Sequence, residues 1–275
     1  MKKDNSLQIQ IDIDRIAHSL LIVCIAIEIA LVVLDVFINF YEYSSLKEIQ
    51  RLCNIAREDS LASWIGSMQT FMIGMTLCLI VFLTRQASIS WKITTGWLLL
   101  SLFFIYMAID DGTEIHERLG SAFEMIFKSP DNSNVPMSGI SSLLEFFPSY
   151  AWQLLFIPFF AGAGLFILIF LMNELKTRQS KIFAILALSC FVFAVGLDFF
   201  EGLDKNHQWN FHTYLQKEYQ LEKYTVRHFS KSLEEFIEML GMTFFWVSFI
   251  QYFKSFPKSI IINIIFPARP SMPSA

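Results

Sequence analysis

Charged residues are scarce in this chain, and the charge that it carries is not basic. Asp, Glu, Lys and Arg together make up 17% of the 275 residues, against about 25% in an average soluble protein. The net charge is −4 and no stretch of Lys and Arg forms a basic stripe, which excludes a typical nucleic-acid-binding protein. Hydrophobic residues reach 54%, so the composition is shifted toward a lipid environment.

Cysteine is too rare and too scattered to build a disulfide framework or a thiolate metal site. The four cysteines, Cys24, Cys53, Cys78 and Cys190, form no CxxC pair and no spacing typical of a zinc site. We therefore expect four free thiols that behave as small apolar side chains.

Long apolar runs dominate what is present. A membrane-spanning helix needs about 20 mainly apolar residues, and six stretches meet this requirement. Because an open chain in lipid satisfies its backbone polar groups only as a helix, we interpret all six as helices. The sequence therefore predicts an all-α membrane helix bundle with six transmembrane spans, at residues 16–40, 62–84, 92–110, 150–172, 182–203 and 236–253.

The distribution of Lys and Arg predicts the orientation of this bundle. The N-terminal segment, loops 2–3 and 4–5 and the C-terminal tail would share one side, and together they carry eleven basic and four acidic residues. Short basic segments favour the cytoplasmic side. We therefore predict a cytoplasmic N-terminal segment at 1–15, a membrane domain at 16–253 and a cytoplasmic tail at 254–275, in a plasma membrane or a bacterial inner membrane.

The loops on the opposite side are predicted to be partly structured. Residues 112–128 keep a helical periodicity, which predicts either an extension of span 3 or a helix along the membrane interface. The sequence PDNSNVP at 130–136 is typical of a turn-rich break. Residues 204–231 hold several aromatic residues of the kind that suits the headgroup region. Part of this segment is expected to continue as a helix into span 6.

Acidic residues cluster at the outer ends of the predicted spans. Ionisable groups at membrane depth are costly, so each one is a functional-site hypothesis. Spans 1, 3, 5 and 6 each place an acid at a similar outer depth: Asp35, Asp110, Asp198 and Glu238. The interior of the predicted spans has no Lys or Arg to balance them. If these helices face one interior, the acids need a divalent cation or bound protons to coexist there.

The first cluster lies where span 3 meets the outer surface. Asp110, Glu114 and Glu117 are spaced i, i+4, i+7 and are predicted to share one helical face, with His116 at its side. Three carboxylates on adjacent turns repel one another unless a cation or protons neutralise them. The alternative is an acidic face that emerges into water, with Gly112 ending or bending the helix.

Another cluster lies at the start of span 6. Ser232 and Glu235 fit a capping box, which would explain Glu234 and Glu235 as acids that favour a helix N-terminus. Glu238 has no such explanation, because at 1.5 Å per residue it lies roughly 9 Å below Ser232. Glu238 is therefore the stronger functional candidate.

Carboxylate ligands without thiolates indicate a hard divalent cation. Ca²⁺, Mg²⁺ and Mn²⁺ fit such a set, and histidine ligands would shift the preference toward Zn²⁺. Among the histidines of loop 5–6, we expect His207, His212 and His228 mostly to face water. The predicted metal ligands are Asp35, Asp110, Asp111, Glu114, His116, Asp198, Glu201, Glu235 and Glu238.

These features predict a metal-dependent membrane hydrolase that acts on a lipid or lipid-linked substrate at the extracytoplasmic face. Glu117, His116 and Glu238 are the predicted catalytic residues, with roles in proton transfer to and from a metal-bound water. Two alternatives stay open. Glu28 in the middle of span 1 would suit a cation or proton transporter, and the acidic outer face would suit a structural or assembly subunit. Membrane lipids are the expected partners.

Overall fold

The computed structural model describes residues 6–10, 12–128, 144, 146–205, 207–256 and 261–265. Within these residues, six helices are long and apolar enough to span a membrane: α1, α3, α4, α6, α7 and α9 of the following list. The elements are β1 (Ser6–Gln10), α1 (Ile13–Leu34, continued as a π-helix over Asp35–Phe40), α2 (Lys47–Cys53), α3 (Leu61–Gln86), α4 (Trp91–Thr113), α5 (Ile115–Lys128), α6 (Ala151–Glu174), α7 (Arg178–Glu201), α8 (Phe211–Glu218), α9 (Lys223–Tyr252) and β2 (Ile261–Ile265). The predicted helical bundle with six apolar spans is confirmed.

Side-chain caps fix where several of these helices begin. Asp12 precedes α1 and accepts a hydrogen bond from the backbone N–H of Arg15 at 3.1 Å. Ser60 precedes α3 and accepts one from the backbone N–H of Ser63 at 3.2 Å. Each cap satisfies one of the N–H groups that the first helical turn leaves without a partner.

The last spanning helix is longer than the hydropathy predicts. α9 begins at Lys223, whereas hydropathy places the start of this span at Phe236. Hydropathy misses the first turns because they are polar and carry no apolar signal. The expected capping box at Ser232 is therefore wrong. Ser232 lies inside the helix, and its hydroxyl donates a hydrogen bond to Asp35 Oδ2 at 3.1 Å.

A break between α4 and α5 divides the first acidic cluster. Glu114 adopts a left-handed conformation with φ 53° and ψ 38°, which ends α4 and lets α5 leave in a new direction. The predicted single helical face for Asp110, Glu114 and Glu117 is therefore wrong, and α5 is a separate helix rather than an extension of α4. The predicted turn-rich break at 130–136 lies outside the described residues.

α9 is the central helix of the bundle. Of its apolar stretch 61% is buried, against 11% for α6, which is the least buried of the six. Trp97 and Phe104 of α4 pack edge-on against Phe249 of α9, with ring centroids 6.0 and 5.6 Å apart. α3 packs along α4, and α7 packs along α9, so the core forms around α4 and α9.

The two terminal segments lie at the same end of the bundle. β1 and β2 pair antiparallel, with Ser6 opposite Ile265. An ion pair between Lys254 and Asp14 joins the end of α9 to the start of α1. An even number of spans requires this arrangement, and the acidic clusters therefore lie at the opposite end. The cytoplasmic location of the termini stays a prediction.

Candidate functional site

A cavity of about 70 Å³ lies at the end of the bundle opposite the terminal segments, and we call it the acidic cavity. Its lining contains the carboxylates of Glu58, Asp110, Asp111, Glu114, Glu117, Asp198, Glu234, Glu235 and Glu238. The described lining also includes Lys231 and His116. Nine carboxylates face at most two positive side chains. They can therefore all be ionised only if further cations bind, and otherwise some of them must be protonated.

Lys231 supplies a positive charge at a depth where the sequence predicted none. Its Nζ lies 2.8 Å from Glu234 Oε1 and 3.4 Å from Glu235 Oε1. The expectation that no Lys or Arg accompanies the acids is therefore wrong, because α9 extends back past Lys231. Glu234 Oε2 is buried and has no hydrogen-bond partner among the described residues. A buried oxygen without a donor is costly, so this oxygen calls for a further partner, either water or a ligand.

Asp110 holds the ring of His116 in place. Asp110 Oδ2 lies 2.7 Å from His116 Nδ1, and Asp110 Oδ1 accepts the backbone N–H of His116 at 3.0 Å. Because an ionised carboxylate only accepts, this contact assigns a proton to Nδ1 and leaves Nε2 as an acceptor when the ring is neutral. Burial disfavours the charged ring, but the hydrogen bond to Asp110 and its charge outweigh this and raise the pKa of His116.

Two further acids of the acidic cavity are positioned by neighbouring helices. Asp111 Oδ2 of α4 accepts a hydrogen bond from Ser67 Oγ of α3 at 2.5 Å. Asp198 Oδ2 of α7 accepts one from Gln153 Nε2 of α6 at 2.7 Å. Contacts between adjacent helices therefore set the direction of both carboxylates.

Glu58 belongs to the acidic cavity although the sequence analysis missed it. It lies in the loop before α3, where nothing in the local pattern separates it from an ordinary polar loop residue. One side of Glu58 is exposed, but protein atoms crowd the other, and this desolvation raises its pKa to about 7. The charge of Lys231 opposes the shift, whereas those of Glu117 and Asp111 add to it.

A second cavity of about 210 Å³ adjoins the first, and we call it the apolar cavity. It lies between α3, α4, α6, α7 and α9, and most of its wall is aromatic or aliphatic. The residues that line both cavities are Asp110, Asp111, His116, Trp152, Val195, Glu235 and Glu238. The site therefore has a polar end that opens directly onto an apolar compartment.

Asp35 and Glu201, which the sequence also predicts as ligands, do not line the acidic cavity. Asp35 Oδ2 lies 3.0 Å from His228 Nε2, and Asp35 Oδ1 accepts a hydrogen bond from Asn39 at 2.9 Å. His228 is only 4% exposed, so the expectation that it faces water is wrong. Glu201 Oε1 accepts a hydrogen bond from Arg227 Nε at 2.9 Å and lines a neighbouring cavity of about 300 Å³.

The remaining predicted site residues do come together. Asp110, Asp111, Glu114, His116, Glu117, Asp198, Glu235 and Glu238 all line the acidic cavity. They surround the space rather than converge on one point. Within the described part of the chain, no group of three or more His, Cys, Asp or Glu side chains is arranged to hold a metal ion directly.

The fold defines an α-helical membrane protein with six spanning helices and an acidic cavity at one end. Residues 21–253 match a family described as Domain of unknown function (DUF8692), and the chain belongs to this family. The match runs from α1 to the end of α9. No curated protein and no solved structure matches the chain.

Proposed function

We propose that the protein is a metal-dependent membrane hydrolase that acts on a lipid or lipid-linked substrate. The observation that carries this proposal is the junction of the two cavities, where carboxylates and His116 meet the apolar compartment. Binding sites for small molecules are typically apolar with a few polar groups that orient the ligand. An amphiphile would place its polar group beside Asp111, Glu235 and Glu238 and its hydrocarbon part among the aromatic side chains.

A divalent cation would supply the charge that the acidic cavity lacks. Asp111, Glu235 and Glu238 line both cavities and would face such an ion at their junction. Since the side chains line a space of about 70 Å³ without converging, the ion would keep part of its water shell, as Mg²⁺ does in proteins. Oxygen ligands favour Mg²⁺, Mn²⁺ or Ca²⁺ over Zn²⁺. The unpartnered Oε2 of Glu234 supports a ligand in this space.

The proposed reaction is the addition of water to an acyl or phosphoryl centre. A bound cation would make water more acidic and polarise the bond to be cleaved. His116 Nε2, oriented through Asp110, would accept the proton as the water oxygen bonds to this centre and the ester bond breaks. The proton would then pass to the departing oxygen. Glu117 and Glu238 line the same cavity and would carry protons between it and solvent.

Metal binding by the purified protein tests this proposal. We expect Mn²⁺ titration in detergent to show saturable binding, and Glu238→Gln or Asp111→Asn to weaken it by about 10–100-fold. Glu174→Gln, at the opposite end of α6, is the matched control and leaves the affinity unchanged. The proposal fails if the wild-type protein binds no divalent cation, or if it is metal-loaded but cleaves neither carboxylic-ester nor phosphoester lipids.

A buried acid in α1 favours a second candidate, a proton or cation transporter. Glu28 is 1% exposed; its Oε1 accepts hydrogen bonds from Thr243 at 2.5 Å and from Gln69 at 3.5 Å. Its Oε2 has no partner among the described residues. Reconstituted liposomes test this candidate: ion flux that disappears in Glu28→Gln would support transport, and absence of flux in the wild type would exclude it.

A further inference from the structure

The apolar cavity is large enough for part of a hydrocarbon chain and too small for a peptide helix. An apolar cavity of about 150 Å³ is sufficient to bind benzene, and this one measures about 210 Å³. A helix with its side chains is about 10–12 Å wide, and an extended peptide would leave its backbone groups unsatisfied among apolar walls. The space therefore suits an alkyl chain.

The wall formed by α6 and α7 is loosely packed. α6 is the least buried spanning helix, and a Cβ added at Gly162 or Gly164 would meet no atom within 4 Å. Outside this wall, a groove of about 480 Å³ runs along α7, with Leu168 of α6 at its edge. A Cβ added at Gly196 in its lining would also meet open space. Leu188 lines both the groove and the apolar cavity.

We infer that the apolar cavity takes up one hydrocarbon chain of a membrane amphiphile, which enters sideways from the bilayer between α6 and α7. The inference rests on the proposed function, because it names the substrate class and the entry route of the same site. The chain passes Leu188 from the groove into the cavity. The head group then lies at the junction with the acidic cavity, beside His116.

Three matched substitutions separate the cavity, the groove and the outer surface. Gly164 lines the apolar cavity, Gly196 lines the groove, and Gly162 lines neither. Replacing each by Leu adds the same volume at a helical position where the new Cβ meets no neighbour. Because Leu favours helix more than Gly does, all three variants are expected to fold.

The probe is a phosphatidylcholine with a photoactivatable diazirine on one acyl chain, mixed into dioleoylphosphatidylcholine vesicles that hold the full-length protein. Phe104 and Phe245 line the apolar cavity but are only 1% and 2% exposed, so bulk lipid does not reach them. Labels on these two side chains, located by mass spectrometry, therefore report a chain inside the cavity.

We expect Phe104 and Phe245 to be labelled in the wild type and in Gly162→Leu. In Gly164→Leu the labelling falls by about ten-fold, because the new side chain fills the cavity. In Gly196→Leu the rate of labelling falls after fresh probe is added. Equal labelling in all three variants, or no label on either phenylalanine in the wild type, would overturn the inference.

Photolabelling repeated in EDTA, compared with a separate Mn²⁺ titration without EDTA, distinguishes this inference from the proposed function. Cavity labelling that persists while Mn²⁺ titration shows no binding would support chain uptake and remove the metal-dependent hydrolase. Mn²⁺ binding without labelling of Phe104 and Phe245 would leave the metal proposal in place and overturn chain uptake.

Discussion

Lys231 shows how one side chain balances a membrane-buried acidic site. Its ammonium group lies between Glu234 and Glu235, and only 20% of its side chain is exposed. Removing one partner of a buried ion pair leaves an uncompensated charge, which costs more than the pair itself contributes. The lysine therefore supplies a buried positive charge beside these two acids.

We expect Lys231→Met to lower the free energy of unfolding by about 3–5 kcal/mol at neutral pH in metal-free buffer. Lys47→Met is the control, because the pair of Lys47 with Glu42 is 74% and 66% exposed, and such surface pairs contribute about 0–1 kcal/mol. Denaturation in detergent, followed by circular dichroism, measures both. Equal losses in the two variants would contradict the assignment of Lys231 as the buried counter-charge.

At the scale of elements, the contact between α5 and α6 sets the position of the site. Gly120 of α5 lies so close to Trp152 that an added Cβ would fall 2.4–2.7 Å from the Trp152 backbone N, Cα and Cβ atoms. Trp152 in turn packs edge-on against His116, with ring centroids 4.7 Å apart. The absence of a side chain at Gly120 therefore allows the histidine and the tryptophan to meet.

Gly120→Ala is expected to push α5 away from α6 and to destabilise the protein by about 1–3 kcal/mol, as overpacking does. Gly162→Ala has no neighbour to displace and should be neutral or stabilising by up to about 1 kcal/mol. Thermal unfolding compares the two variants. A Gly120→Ala protein as stable as Gly162→Ala would show that α5 and α6 do not pack this closely.

We predict that His212 of the short helix α8 makes the stability of the protein depend on pH. His212 Nε2 lies 2.9 Å from Ser230 Oγ of α9, and burial lowers the pKa of His212 below 6.5. The charge of Glu201 opposes this shift and that of Arg227 adds to it. As the pH falls, the unfolded chain binds the proton near pH 6.5, before the folded protein does. The contribution of His212 to stability is therefore fully present above pH 6.5 and is lost as the pH falls through the lower pKa of the folded state.

We expect the melting temperature of His212→Asn to fall less steeply than that of the wild type between pH 7 and about pH 5. Substitution of the exposed His18 by Asn is the control for the loss of one histidine. Identical pH slopes for the wild type and His212→Asn would contradict a buried neutral ring at this position.

At the scale of the whole molecule, the acidic cavity and the terminal segments lie at opposite ends. Tyr43, which is 88% exposed, lies at the end with the acidic cavity, and the exposed Ser88 lies at the other. In a variant whose native cysteines are replaced by Ala, a membrane-impermeant maleimide applied to intact cells should label Tyr43→Cys and not Ser88→Cys. Both become labelled after lysis. The reverse pattern in intact cells would place the acidic cavity in the cytoplasm.

The sequence by itself determined the six spans and the acid-rich end of the bundle. Length and hydropathy of a helix are local properties, so they can be read from about 20 consecutive residues. The alternation of spans then assigns the acids of α4, α7 and α9 to the same end. For the same reason hydropathy alone does not place the start of α9, since its first turns are helical without an apolar signal.

Only the tertiary structure decided which acids meet. Asp35 turns to His228 and Glu201 to Arg227, whereas Glu58 joins the cavity from a loop that carries no pattern. The direction of a side chain depends on how helices are rotated and packed against one another, which no single stretch of sequence contains. The loose contact between α6 and α7 is likewise a property of how the helices pack.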